Sequence, residues 1–127
     1  MEATAKLNNV PTSPRKMRYV ADTIRGKSVN EALGLLKYLP NHASRKLEKL
    51  LLSCISNWGV KHEKDPGRAD LYVKSLFVGE GRMLKRLVTA PQGRGYQMRK
   101  RSNHVTMVID TKVTKEVVEE KSEVVAS

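Results

Sequence analysis

The stretch from Val78 to Ile109, VGEGRMLKRLVTAPQGRGYQMRKRSNHVTMVI, constrains the fold more than any other part of the chain. From Gly81 to Ile109 it carries seven basic residues, Arg82, Lys85, Arg86, Arg94, Arg99, Lys100 and Arg101, and no Asp or Glu. Two runs of strand-forming residues flank Ala90, Pro91, Gln92, Gly93, Arg94 and Gly95. The Pro and Gly of that segment cannot continue a ladder but suit a tight reversal. The pattern predicts a long β-hairpin over residues of about 80 to 105.

Side-chain parity separates its packed part from its protruding part, because alternate residues of a strand share a face. Val105, Met107 and Ile109 lie on one face, which continues outward as Asn103, Arg101, Arg99 and Gln97. An apolar stripe that turns basic has left its core. On the outgoing strand Leu76, Phe77 and Val78 likewise give way to Arg82, Lys85 and Arg86. With about ten residues projecting on each side, the arm reaches on the order of 30 Å. A lone two-stranded ribbon is marginal in water, and uncompensated cations add self-repulsion. The arm therefore calls for a polyanionic partner.

At 127 residues the chain is expected to form one domain with a real core. A formal net charge of +11 and a pI near 10.0 point to nucleic acid or an anionic surface. No apolar run approaches the roughly 18 residues that span a bilayer, and no signal-peptide pattern opens the chain. A soluble, intracellular protein is the expectation. The single cysteine, Cys54, excludes an internal disulfide. Basic residues exceed acidic ones by four over residues 1 to 30, by two over 31 to 80 and by six over 81 to 111. Binding is thus expected to use the first helix and the hairpin.

Residues 3 to 10 have edge-strand character. Ser13 and Pro14 then form a helix start, with the hydroxyl as N-cap and proline at the first helical position. Met17, Val20, Ala21 and Ile24 fall on one side of this helix, and Arg15, Arg18 and Arg25 fall on the other beside Asp22, before Gly26 ends it. In most helices such a stripe is a solvated face. In a chain of this charge, three arginines with one acid point to phosphate contact. Ser28 and Glu31 have capping-box spacing, and Ala32, Leu35, Leu36 and Leu39 recur helically up to Pro40. Asn41 is placed to cap a third helix with a wide apolar arc: Ala43, Leu47, Leu50, Leu51, Cys54, Ile55 and Trp58. Cys54 and Trp58 read as core. Residues 59 to 70 read as a polar loop turning at Pro66 and Gly67, and a strand starts at Leu71. The Val-, Glu-, Lys- and Ser-rich residues 112–127 read as a variable C-terminal tail.

No catalytic constellation emerges. His42, His62 and His104 share no metal-ligand spacing with one another or with Cys54, and no phosphate-binding glycine loop occurs. No cofactor and no metal are expected.

The run Ser13-Pro14-Arg15-Lys16-Met17-Arg18-Tyr19-Val20-Ala21-Asp22-Thr23-Ile24-Arg25-Gly26-Lys27 closely resembles the opening S-x-x-K-x-R-x-V-A-D-x-I-R-G-K of the bacterial-type large-subunit ribosomal protein twenty-two family. A second, separate match runs through Lys85-Arg86, Gly93-Arg94 and Lys100-Arg101-Ser102-Asn103-His104-Val105-Thr106, in the family's order and spacing. The resemblance covers residues 4 to 110. It implies a small α+β domain (residues 1–111), with three helices on a three-stranded antiparallel sheet and a long protruding hairpin. It also implies a structural role in the large ribosomal subunit, where the hairpin threads through ribosomal RNA and its tip lines the nascent-peptide exit tunnel. The implied partners are that RNA, neighbouring large-subunit proteins including the fourth at the tunnel constriction, and the nascent peptide. No membrane partner or homo-oligomer is expected. The candidate RNA contacts are Arg15, Lys16, Arg18, Arg25, Lys27, Arg82, Lys85, Arg86, Arg94, Arg99, Lys100, Arg101, Asn103 and His104. The tip, residues 90 to 95, departs from the family pattern at Ala90, Pro91 and Gln92.

Two other classes compete. A membrane-surface or acidic-protein binding module shares the charge, but the arm lacks the Trp and Phe wedge of interfacial anchors. An RNA-acting enzyme needs a constellation that the residues do not supply.

Overall fold

The computed structural model describes residues 2–67 and 69–111. The tail expected at 112–127 lies outside them. Strand β1 (Glu2–Val10) alternates buried Ala3 and Ala5 with exposed Glu2, Thr4 and Lys6, the signature of a half-covered strand. Helix α1 (Pro14–Ile24) follows, then α2 (Val29–Tyr38) and α3 (His42–His62). The remaining elements are β2 (Leu71–Glu80), β3 (Leu84–Thr89), β4 (Gly95–Lys100) and β5 (Asn103–Thr111). Strands β1, β5 and β2 form an antiparallel sheet in that order, with β5 central and β1 at one edge as its sequence indicates. Among the described residues, strands β3 and β4 pair only with each other. The architecture is the expected α+β arrangement.

All three helices contribute to one core between themselves and the sheet. Met17, Val20, Ala21 and Ile24 of α1 are fully enclosed, as are Leu47, Leu51, Cys54 and Trp58 of α3 and Val73, Leu76, Val105, Met107 and Ile109 of the sheet. Burying each Leu, Ile, Val or Met side chain contributes roughly 1.5–3 kcal/mol. The apolar arc of α3 makes it the central helix, with Ile55 half-buried at its margin.

Several local expectations need correction. Ser13 and Asn41 occupy the N-cap positions of α1 and α3 in extended backbone, but neither side chain caps its helix. Near α3 the hydroxyl that works is Ser44, which donates to the carbonyls of Leu39 and Asn41. Ser28 does cap α2, accepting from the Glu31 amide at 3.4 Å. Helix α3 runs through Gly59 to His62 instead of ending at Trp58, and left-handed Glu63 stops it. Gly59 is a site of close approach: an added Cβ would lie 3.4 Å from Pro66 Cδ, so the loop folds back onto the helix there. Phe77 points to the outer face of β2 and is exposed, while Leu76 is buried.

The hairpin differs from a continuous ribbon at its root. The β2–β5 register ends at Glu80 opposite Asn103, and the β3–β4 register starts at Leu84 opposite Lys100. Between them Gly81 N–H donates to the Ser102 carbonyl, and the Ser102 hydroxyl donates to the Arg82 carbonyl. An added Cβ at Gly81 would lie 2.5 Å from the Ser102 hydroxyl, so a side chain here would displace that hydroxyl from its bond to the Arg82 carbonyl. The parity extrapolated along the returning strand stops here. Asn103 belongs to the core side of the break and is completely buried, not on the outward basic stripe.

Candidate nucleic-acid interface

Every residue of β3 and β4 is exposed, so the arm stands clear of the body. Its reversal is a short turn over Pro91–Gly93, with Gln92 and Gly93 in left-handed backbone and the Ala90 amide donating to the Arg94 carbonyl. Arg94 is the only cation in the tip segment.

The register divides the arm's charge between two faces. Leu84, Arg86 and Val88 share one face with Lys100, Met98 and Tyr96, while Lys85, Leu87 and Thr89 share the other with Arg99, Gln97 and Gly95. Lys85 lies directly opposite Arg99. Facing like charges destabilise a strand pair, so an anion placed between them relieves a cost the free arm bears. Cations on both faces equip the ribbon to meet phosphates on two sides at once.

The arginine stripe of α1 does not act as a unit. Arg18 donates through Nε and Nη2 to the Val78 carbonyl, and Arg25 donates through the same atoms to the Leu76 carbonyl at 3.2 and 2.7 Å. Arg25 also pairs with Asp22. Strand β2 is a sheet edge, and these guanidinium groups occupy its outward carbonyls, which otherwise offer a template for pairing. Arg15, Lys16 and Lys27 are exposed.

Asn103 and His104 serve the root. Asn103 Nδ2 donates to the carbonyl and hydroxyl oxygens of Thr12. His104 Nδ1 accepts from the amide of Asn9, whose left-handed backbone marks the irregularity between β1 and β5. Both side chains hold the chain that enters α1 against the base of the arm.

That packing leaves a concavity of about 1270 Å³ between arm and body. It gathers Lys16 from α1, Arg82 from the root, and Arg99, Lys100 and Arg101 from the returning strand, and among the described residues no acidic side chain lines it. A smaller groove of about 350 Å³ between β1 and α3 carries Lys6, Lys46 and Lys49. The near-neutral charge of residues 31 to 80 concealed this second basic surface, because its acids lie elsewhere along the same segment.

Sequence reasoning also passed over Tyr19 and Tyr96, which are 68% and 63% exposed. The available signal was an aromatic residue interleaved with basic ones, in Arg18-Tyr19 and Arg94-Gly95-Tyr96. The histidines do not converge: His42 lies at the start of α3, His62 packs on Trp58 with ring centroids 5.2 Å apart, and His104 bonds Asn9. Among the described residues no group of three or more His, Cys, Asp or Glu could hold a metal ion.

The family model for ribosomal protein L22p/L17e matches residues 5–110. Over 112 residues the chain is 56% identical to the large ribosomal subunit protein uL22 of Bacteroides fragilis (strain YCH46), spanning 88% of this chain and 82% of that relative. The protein of the same name from Porphyromonas gingivalis (strain ATCC 33277) is 57% identical over 107 residues, spanning 84% and 80%. That of Flavobacterium johnsoniae is 59% identical over 108 residues, spanning 84% and 79%.

Proposed function

Since the chain belongs to the ribosomal protein L22p/L17e family, we propose that it binds large-subunit ribosomal RNA through its arm and the basic surface at the arm's root. It is a structural, non-enzymatic constituent of the large ribosomal subunit, cytoplasmic within the ribosome. Residues 1–111 act as the RNA-binding unit and 112–127 as a variable tail. The stem cations Arg82, Lys85, Arg86, Arg99, Lys100 and Arg101 anchor the ribbon between RNA segments. Arg15, Lys16 and Lys27 add phosphate contacts from the body, as do the donors of Arg18 and Arg25 that β2 leaves unused. The tip, residues 90 to 95, lines the nascent-peptide tunnel near a loop of the fourth large-subunit protein.

The observation that carries this reading is the exposed β3–β4 ribbon, with cations on both faces and Lys85 set against Arg99. Such an element is marginal alone and loses its self-repulsion beside a polyanion. Co-sedimentation tests it. The chain is expected to travel with large subunits and to be stripped by high salt. Pelleting with anionic liposomes while ignoring ribosomes contradicts it.

A further inference from the structure

The concavity at the arm root sets an exposed aromatic face, that of Tyr19, among cations drawn from both the arm and the body. Tyr19 follows Arg18 on α1, points away from the core side of Met17 and Val20, and lines the concavity with Lys16, Arg82, Arg99 and Arg101. Its exposure of 68% means that no packing in the body accounts for it. Resting on the RNA-binding reading above, we propose that this concavity receives unstacked nucleotides of single-stranded RNA. One base stacks on Tyr19, and its flanking phosphates lie among Lys16, Arg82, Arg99 and Arg101.

Three properties of the site select that ligand. Its volume of about 1270 Å³ exceeds the roughly 300–1,000 Å³ of a small-molecule pocket, so a short run of nucleotides fits where a single small ligand would leave space. Among the described residues its lining combines cations with no acid, which favours a phosphate backbone. An aromatic ring can stack only on a base whose own face is open, and duplex bases are already stacked on their neighbours. Within the concavity the cations serve either form of RNA, whereas Tyr19 supplies the preference for unpaired nucleotides.

The test uses the full chain with an unstructured oligouridylate, an RNA duplex of equal length and large-subunit ribosomal RNA as probes. Tyr19→Leu is expected to weaken oligouridylate binding about tenfold, as loss of one stacked base does. Its salt slope and its duplex affinity are expected to match those of the unaltered chain. Tyr19→Phe keeps the ring and is expected to bind like the unaltered chain. Lys16→Gln is expected to lower the single-strand salt slope by roughly 0.7. Equal oligouridylate affinity for Tyr19→Leu and the unaltered chain overturns the inference, as does an equal loss on single strand and duplex. Displacement of oligouridylate by an acidic peptide that depends equally on Tyr19 also overturns it. If ribosomal RNA still binds in those cases, the proposed function stands. If the unaltered chain binds none of the three RNAs, both fail.

Discussion

Asn103 Nδ2 donates to both the carbonyl and the hydroxyl oxygen of Thr12, at 2.7 and 2.8 Å, and this pair ties the base of the arm to the segment entering α1. The two residues are 91 positions apart, so the link joins the first helix to the returning strand of the hairpin. Asn103 is fully buried and Thr12 half-buried, so substitution of Asn103 takes a donor from two Thr12 oxygens that water reaches only in part. Asn103→Ala is expected to cost about 1–3 kcal/mol. Asn103→Asp should cost more despite its matching shape, because a carboxylate oxygen would face the Thr12 carbonyl. Urea denaturation should show lower midpoints at an unchanged slope. A midpoint equal to that of the unaltered chain for both variants would leave the link without a structural role.

The arginines of α1 are expected to separate into two kinds. Arg15→Gln should weaken RNA binding and lower the salt slope by roughly 0.7–0.9, with stability unchanged. Arg25→Gln removes the group that holds the Leu76 carbonyl at the open edge of β2, so it should also lower stability by about 1 kcal/mol. Salt titrations paired with thermal unfolding check this. Identical profiles for the two variants would return Arg25 to a purely RNA-facing role.

The helices were legible because their apolar residues recur at helical intervals. Met17, Val20 and Ile24 are buried as their spacing dictates, and the arc of α3 faces the core throughout. Strand β5 was legible for the same reason at period two. The last turn of α3 was missed because Gly59 reads as a breaker, while its actual role is to admit Pro66. Ser13 and Asn41 are the right residue types for caps, but side-chain rotation decides whether a cap forms. The break at Gly81 and Ser102 was hidden because alternation extrapolates smoothly across it. That error put buried Asn103 on the basic stripe. Nothing in the spacing of Arg18 and Arg25 says that β2 lies beside α1. The family motifs, by contrast, were legible as runs of residue types and needed no tertiary placement.

Cys54 is fully buried, and its thiol donates to the carbonyls of Ala3 and Met107. Burial pushes its pKa up, so the reactive thiolate is scarce at neutral pH. A thiol reagent should modify the native chain only at the rate of unfolding. Labelling at a rate independent of denaturant, and comparable to that of a free thiol, would contradict the enclosed core around α3.

The arm and the core should differ in hydrogen exchange when RNA is absent. Amides of β3 and β4 belong to an isolated two-stranded ribbon with no buried residue, whereas Leu47, Leu51 and Cys54 sit in fully enclosed helix. Fast exchange in the arm and slow exchange from Ala43 to Trp58 are expected, with arm protection rising when ribosomal RNA is added. Equal protection in both regions of the free protein would show that the arm carries its own stabilising contacts.

Incorporation of variant chains into large subunits tests most directly the claim that the stem anchors the protein in RNA. Joint neutralisation of Lys85, Arg86, Lys100 and Arg101 removes charge from both faces of the ribbon and leaves the core untouched. Deletion of residues 90 to 95 removes a single cation, Arg94. The fourfold variant should remain folded yet fail to enter subunits. The tip deletion should enter them nearly as well as the unaltered chain, with changed susceptibility to tunnel-binding antibiotics or changed nascent-chain stalling. Normal incorporation of the fourfold variant, together with loss of the tip-deleted chain from subunits, would contradict the account.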